Sequence, residues 1–269
     1  MEYWVTVEPN VRVYVNDINP QGKSPILFLH GWPANYNMFE YQYQDFIRQG
    51  IRCIGMDMRG FGRSDKPVRG YSYNRLAEDV RAVITALKLR GLTLAGHSTG
   101  GAVALRYAAR YRVGVSKLAL CAAAAPSLIQ RPGFPHGQTE ADILTIIENT
   151  YADRPNMLHG FGEIFFNQKV TPSFSDWFFQ LGLEAAPWST VAVSRTWIEE
   201  VLFDDLPKVH IPTLILHGVN DRVCYYPLAL ALHEGIAGST LIPFEKAGHG
   251  LFYDEKEKFN KELAAFAKS

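Results

Sequence analysis

Six short apolar runs, at 25–29, 51–56, 92–95, 115–121, 212–216 and 240–244, are separated by segments whose apolar residues recur every three or four positions. A run that is apolar at successive positions leaves neither face for water, so each of these strands must be covered on both sides. The intervening segments supply the cover. Residues 76–87 carry Leu76, Val80, Val83, Ile84 and Leu87 at helical spacing, and 39–48, 102–111, 228–236 and 255–268 also read as helices. Strand and helix in alternation predict an α/β fold, a mostly parallel sheet with helices on both faces. The amino end differs. Tyr3, Val5 and Val7, then Val11, Val13 and Val15, alternate with period two around the turn Glu8-Pro9-Asn10, which predicts an exposed antiparallel hairpin.

The alternation stops between 127 and 203. Aromatic residues crowd this stretch, among them Phe161, Phe165, Trp177 and Trp197, and Pro132, Pro135, Pro155, Pro172 and Pro187 cut it into short helical pieces. The reading is a core domain of 1–126 and 204–269 with a helical cap, 127–203, lying over the sheet. A length of 269 residues suits one core with an insertion.

Lys plus Arg and Asp plus Glu number 27 each, so no basic surplus points to nucleic acid or to an anionic membrane. The longest mostly apolar run, 118–129, is shorter than the roughly 20 residues a bilayer span needs. Met1-Glu2-Tyr3-Trp4 has no basic run leading into an apolar stretch, so no secretory leader is expected. Cys53, Cys121 and Cys224 lack metal-ligand spacing and read as buried, reduced residues of a cytoplasmic protein. Gly60-Phe61-Gly62 lacks the third glycine of a dinucleotide fingerprint, and no cofactor is expected.

The chemistry centres on Gly96-His97-Ser98-Thr99-Gly100, a G-x-S-x-G pattern between the strand 92–95 and the helix 102–111. A strand-to-helix turn this tight forces the serine into a strained conformation and lifts its Oγ clear of the sheet, over the positive end of a helix. A serine hydroxyl needs a base to take its proton and an acid to orient that base. His249, in Ala247-Gly248-His249-Gly250, lies just beyond the last strand with glycines on both sides. Asp221, in His217-Gly218-Val219-Asn220-Asp221, follows the strand 212–216, at a strand end where catalytic groups gather in open α/β sheets. The competing position after 115–121 reads Ala122-Ala123-Ala124-Ala125-Pro126 and holds no carboxylate. An oxyanion hole requires backbone N–H groups. Thr99, directly after Ser98, supplies one, and Trp32 in His30-Gly31-Trp32-Pro33 supplies the other, since Pro33 has no N–H.

Other candidates read as structural. His30 and His97 are expected to be buried turn supports with satisfied hydrogen bonds, His217 a residue at a strand end, and His136 and His159 surface residues. Asp57-Met58-Arg59-Gly60-Phe61-Gly62-Arg63-Ser64 reads as a glycine-rich turn closed by an Asp–Arg contact.

These motifs together resemble the α/β-hydrolase superfamily, and within it the cofactor-free haloperoxidases, perhydrolases and aryl or carboxyl esterases. The matching residues run from about 25 to 252. The resemblance implies an eight-stranded sheet with only the second strand antiparallel, a lid formed by the insertion, and Ser98, Asp221 and His249 acting together with Trp32 and Thr99 as oxyanion donors. The Trp32-Pro33 pair is similar to perhydrolase loops. Ala102-Val103 departs from the glycine and glutamate frequent in haloperoxidases, which puts an esterase first. The expected activity is hydrolysis of small to medium carboxylic esters through an acyl-enzyme. Perhydrolase, haloperoxidase and lactonase activities on the same triad are the alternatives, and a non-catalytic small-molecule receptor is the alternative of another class.

Overall fold

The computed structural model describes residues 1–111 and 113–269. The antiparallel hairpin forms from β1 (Glu2–Glu8) and β2 (Val11–Asp17), but it is not exposed as expected: β2 pairs with the next strand of the sheet and buries Val13, Tyr14 and Val15. The apolar runs become β3 (Lys23–Leu29), β4 (Ile51–Met56), β5 (Leu92–His97), β6 (Val115–Cys121), β7 (Thr213–Gly218) and β8 (Thr240–Phe244). All eight join one sheet in the order β1-β2-β4-β3-β5-β6-β7-β8. Pairing is antiparallel at β1–β2 and β2–β4 and parallel elsewhere, so β2 alone runs against the rest.

Helices cover both faces, and the period of two within each strand divides the core. The helices of the core are α1 (Glu40–Arg48), α2 (Tyr73–Ala86) and α3 (Thr99–Arg110). Three more, α4 (Glu140–Phe165), α5 (Pro172–Leu183) and α6 (Pro187–Glu199), lie between β6 and β7. The chain closes with α7 (Pro227–Gly235), α8 (Leu251–Asp254) and α9 (Lys256–Lys268). Leu27, Leu29, Leu118 and Leu120 pack on one side with Val80 and Val83 of α2, Leu105 of α3 and Leu228 of α7. Their neighbours Ile26, Phe28, Ala119 and Cys121 face the other side, with Phe46 of α1 and Phe259 and Leu263 of α9. Two cores on one sheet are what an unalternating apolar strand requires. Among the described residues no helix is long and apolar enough to cross a membrane.

Three of the insertion's prolines stand at helix starts, whereas Pro132 and Pro135 lie in the turn and extended chain before α4. Pro172 and Pro187 stand in the first turns of α5 and α6, where the missing N–H costs nothing. Pro155 lies inside the 26 residues of α4, contrary to the expected short pieces. The backbone leaves helical geometry at Asp153 (φ −156°, ψ 79°), whose side chain caps the N–H of Asn156 at 3.1 Å. Pro155 therefore sits in the first turn of a restarted helix.

The 57–64 turn is closed by an Asp–Arg contact, as expected, but through the backbone N–H of Arg63. Asp57 accepts the backbone N–H groups of Tyr36 and Arg63, each at 2.8 Å, and its carbonyl accepts from Ser64 Oγ at 2.6 Å. Among the described residues no guanidinium bonds Asp57: Arg59 reaches to Asp79 of α2 (2.5 and 2.8 Å) and to Glu8 (2.8 Å). The turn already offers N–H donors to the carboxylate, whereas a fully buried guanidinium needs an anion of its own.

Candidate active site

Ser98 takes φ 54° and ψ −119°, a left-handed conformation that costs a non-glycine residue about 1–3 kcal/mol. Its surroundings hold it there. The Ser98 N–H donates to Cys121 O on β6 at 3.0 Å, and its carbonyl accepts from Ala102 (3.1 Å) and Ala124 (3.0 Å). The flanking glycines make the turn possible. A Cβ at Gly96 would lie 2.2 Å from the Gly100 carbonyl oxygen, and one at Gly100 2.4 Å from that of Leu29. Ser98 is thus presented between β5 and α3, as the motif demands.

Asp221 and His249 come together from the loops after β7 and β8. His249 Nδ1 lies 2.7 Å from Asp221 Oδ2, with both side chains fully buried. The backbone N–H groups of Val223 and Cys224 donate to Asp221 Oδ1, each at 2.8 Å, which fixes the carboxylate plane. Burial alone would push the Asp221 carboxyl up. The His249 imidazole beside it and the hydrogen bonds from His217 and His249 outweigh that and hold it well below the usual carboxylate range. His249 packs against the rings of His97 (4.6 Å between centroids) and Phe165 (4.8 Å), and its Nε2 has no partner among the described residues. Ser98 Oγ is not bonded to that nitrogen; it faces the Cys224 thiol at 3.9 Å.

The two N–H groups expected at the oxyanion site, those of Trp32 and Thr99, have no backbone acceptor among the described residues. Trp32 is fixed through its ring: Nε1 donates to Thr190 O at 3.1 Å, and Trp197 and Phe161 stand edge-on at 5.1 and 5.2 Å. Trp197 Nε1 in turn donates to Thr99 Oγ1 at 3.1 Å. These contacts tie α4 and α6 to the Ser98 turn. Ser98 opens on a cavity of about 260 Å³ whose apolar wall includes Trp32, Ile143, Phe161 and Trp197. A shallower groove between α1 and α9, about 580 Å³, contains none of these groups.

The remaining histidines divide. His30 is satisfied as expected, Nδ1 against Gly31 O (2.9 Å) and Nε2 accepting from Met58 N–H (3.0 Å), and burial pushes it down to about 4. His97 departs from the expectation: Nε2 donates to His249 O at 2.9 Å, but Nδ1 is unpartnered, and burial with His249 nearby holds it well below the usual range. His136 and His159 are exposed. His217 is more than a strand-end residue. Its Nε2 donates to Cys224 O at 2.6 Å and stands 3.3 Å from Asp221 Oδ2, a second imidazole on the same carboxylate. Cys224, buried and with its thiol pushed well up by burial and by Asp221, is a neutral neighbour of Ser98. Neither Cys224 nor Trp197 was distinguishable in sequence. The one available sign for His217 was its place four positions before Asp221 at the end of β7.

A family model described as the alpha/beta hydrolase fold matches residues 24–256. The chain is 46% identical to the AB hydrolase superfamily protein YisY of Bacillus subtilis, covering 100% of both. It is 31% identical to the bifunctional esterase/perhydrolase DCH of Acinetobacter calcoaceticus, over 99% of each chain. Among solved structures it is similar to an esterase from Exiguobacterium antarcticum, with a TM-score of 0.97, 44% identity and 100% of both chains covered. With its sheet order, its serine turn and these relatives agreeing, the chain belongs to the α/β-hydrolase superfamily, in its esterase and haloperoxidase-like group.

Proposed function

We propose that this chain is a serine hydrolase that cleaves small to medium carboxylic esters, with Ser98 as nucleophile, His249 as base and Asp221 as orienting acid. The observation that carries this reading is the buried 2.7 Å Asp221–His249 pair, with its free Nε2, in the same site as a serine on a strained turn. Rotation of Ser98 about Cα–Cβ turns Oγ from the Cys224 thiol toward His249 Nε2. Ser98 Oγ then attacks the ester carbonyl carbon as Nε2 takes its proton, and the oxyanion receives the N–H groups of Trp32 and Thr99. His249 returns the proton to the departing alkoxide. Water, deprotonated by the same nitrogen, releases the acid and restores Ser98. Asp221 stays ionised throughout and holds the Nδ1 proton. Residues 127–203 act as a cap domain on the core 1–126 and 204–269, supplying the cavity wall through Ile143, Phe161 and Trp197. A fluorophosphonate probe and short 4-nitrophenyl esters test the reading. Labelling and hydrolysis are expected in the wild type and neither in Ser98→Ala; a wild type that does neither overturns it.

Perhydrolysis is the second reading, favoured by the relative named as an esterase/perhydrolase and by the Trp32-Pro33 loop at the site. It expects peracid from acetate and hydrogen peroxide, dependent on Ser98 and on Pro33. Absence of peracid removes it and leaves the esterase.

A further inference from the structure

The cavity above Ser98 is mostly apolar, and nearly all of its polar side chains are already engaged. Gln138 Nε2 donates to the carbonyls of Arg222 (3.1 Å) and Val223 (3.0 Å). Thr145 Oγ1 donates to Ala141 O at 2.9 Å. The indole N–H groups of Trp32 and Trp197 are used by Thr190 O and Thr99 Oγ1. Asp142 Oδ2 closes a capping box with Thr139, accepting its N–H at 2.8 Å and its Oγ1 at 2.6 Å, so its charge is balanced by the positive end of α4.

Arg222 is the exception. A guanidinium has five N–H donors, and among the described residues this side chain makes one hydrogen bond, Nη2 to Glu163 O at 3.1 Å. It enters no ion pair among the described residues. Yet it lines the same cavity as the nucleophile. Its backbone cannot drift, because Asp221 before it and Val223 and Cys224 after it are joined by the hydrogen bonds that orient the acid. An exposed cation anchored at its backbone, with donors that no described residue fills, at the edge of an apolar pocket, can receive a planar anion.

We infer that the ester this site takes carries a carboxylate away from the scissile bond, and that Arg222 binds it. The inference rests on the serine-esterase reading. Its apolar chain would lie against Ile143, Phe161 and Trp197 while the carboxylate meets the guanidinium fork.

The test compares kcat/KM for paired esters in wild type, Arg222→Gln and Arg222→Lys. Mono-4-nitrophenyl adipate against 4-nitrophenyl hexanoate places the charge on the acyl side; 4-acetoxybenzoate against phenyl acetate places it on the alcohol side. The expected result is that the anionic-to-neutral ratio falls about tenfold in Arg222→Gln in one arm, is partly restored in Arg222→Lys, and shrinks in wild type as salt is raised. A ratio within threefold of wild type in both arms overturns the inference while leaving the esterase reading intact. Failure of the wild type to hydrolyse any of the four esters or to take a fluorophosphonate label overturns both.

Discussion

The Asp221 carboxylate touches two imidazoles, and they do different things. His249 presents a free Nε2 to the nucleophile side, whereas His217 spends its Nε2 proton on Cys224 O and Asp221 Oδ2. His217 therefore acts in our reading as a positioning residue, helping to keep the acid ionised and in plane. His217→Ala is expected to lower kcat about tenfold, the value of one hydrogen bond to a charged group, with KM little altered and the acid limb of the pH–rate profile moved to higher pH. Equal kcat and an unmoved profile would show the contact to be idle. Asp221→Asn removes the charge and favours the wrong tautomer, and is expected to cost about 10⁴ in kcat, read by steady-state kinetics. At this scale the sequence was legible where chemistry restricts residue type: Ser98, Asp221 and His249 stand out from motif, spacing and order. Cys224 does not, because nothing local marks a cysteine as the neighbour of a serine 126 positions away.

Elements decide how the site is held and how large it is. The turn between β5 and α3 works because Gly100 lets α3 approach the Leu29 carbonyl. Gly100→Ala places a methyl 2.4 Å from that oxygen and is expected to destabilise the fold by about 2 kcal/mol or more, measured by the urea midpoint. On α4, Phe161 forms part of the wall of the Ser98 cavity and of a much smaller one bounded by Pro33, Leu158 and Phe178. In our reading its ring is the partition between them. Phe161→Ala joins the two spaces, and a series of 4-nitrophenyl esters of increasing chain length should show the preferred acyl group lengthen; an unchanged order of rates would count against the partition. The existence of helices in 127–203 could be read from the prolines and aromatics. Which aromatic faces the nucleophile could not, because Phe161, Phe165 and Trp197 differ in packing rather than in chemistry.

Across the whole molecule, burial of neutral histidines ties stability to pH. His30 is held at about 4, and protonating Nε2 would break its acceptance of the Met58 N–H. The unfolded chain takes that proton near pH 6.5 and the folded chain near 4. The His30 contribution to stability is therefore complete above about 6.5 and falls as pH drops toward 4, at up to about 1.4 kcal/mol per pH unit. His97, also held low, adds a loss of the same sign. Burial raises the Asp57 carboxyl to about 7, which acts with the opposite sign over the same range, so the expected outcome is a difference: from pH 7.5 to 4.5 the wild type should lose melting temperature relative to His30→Asn, and parallel slopes would remove His30 from this account.

The sequence by itself determined the sheet, its hairpin, the serine turn and the order of the three catalytic candidates. Each of these follows from local rules: period two for a covered strand, glycine where a backbone must pass close, a carboxylate or imidazole at a strand end. Tertiary structure alone decided what those residues meet. It placed the Ser98 hydroxyl against Cys224, gave Asp221 its second imidazole, sent Arg59 to Asp79, and left Arg222 beside Ser98 with donors that no described residue fills. These are contacts between groups far apart in the chain, and their outcome depends on how neighbouring side chains fill space and satisfy one another's hydrogen bonds. No local pattern encodes that competition.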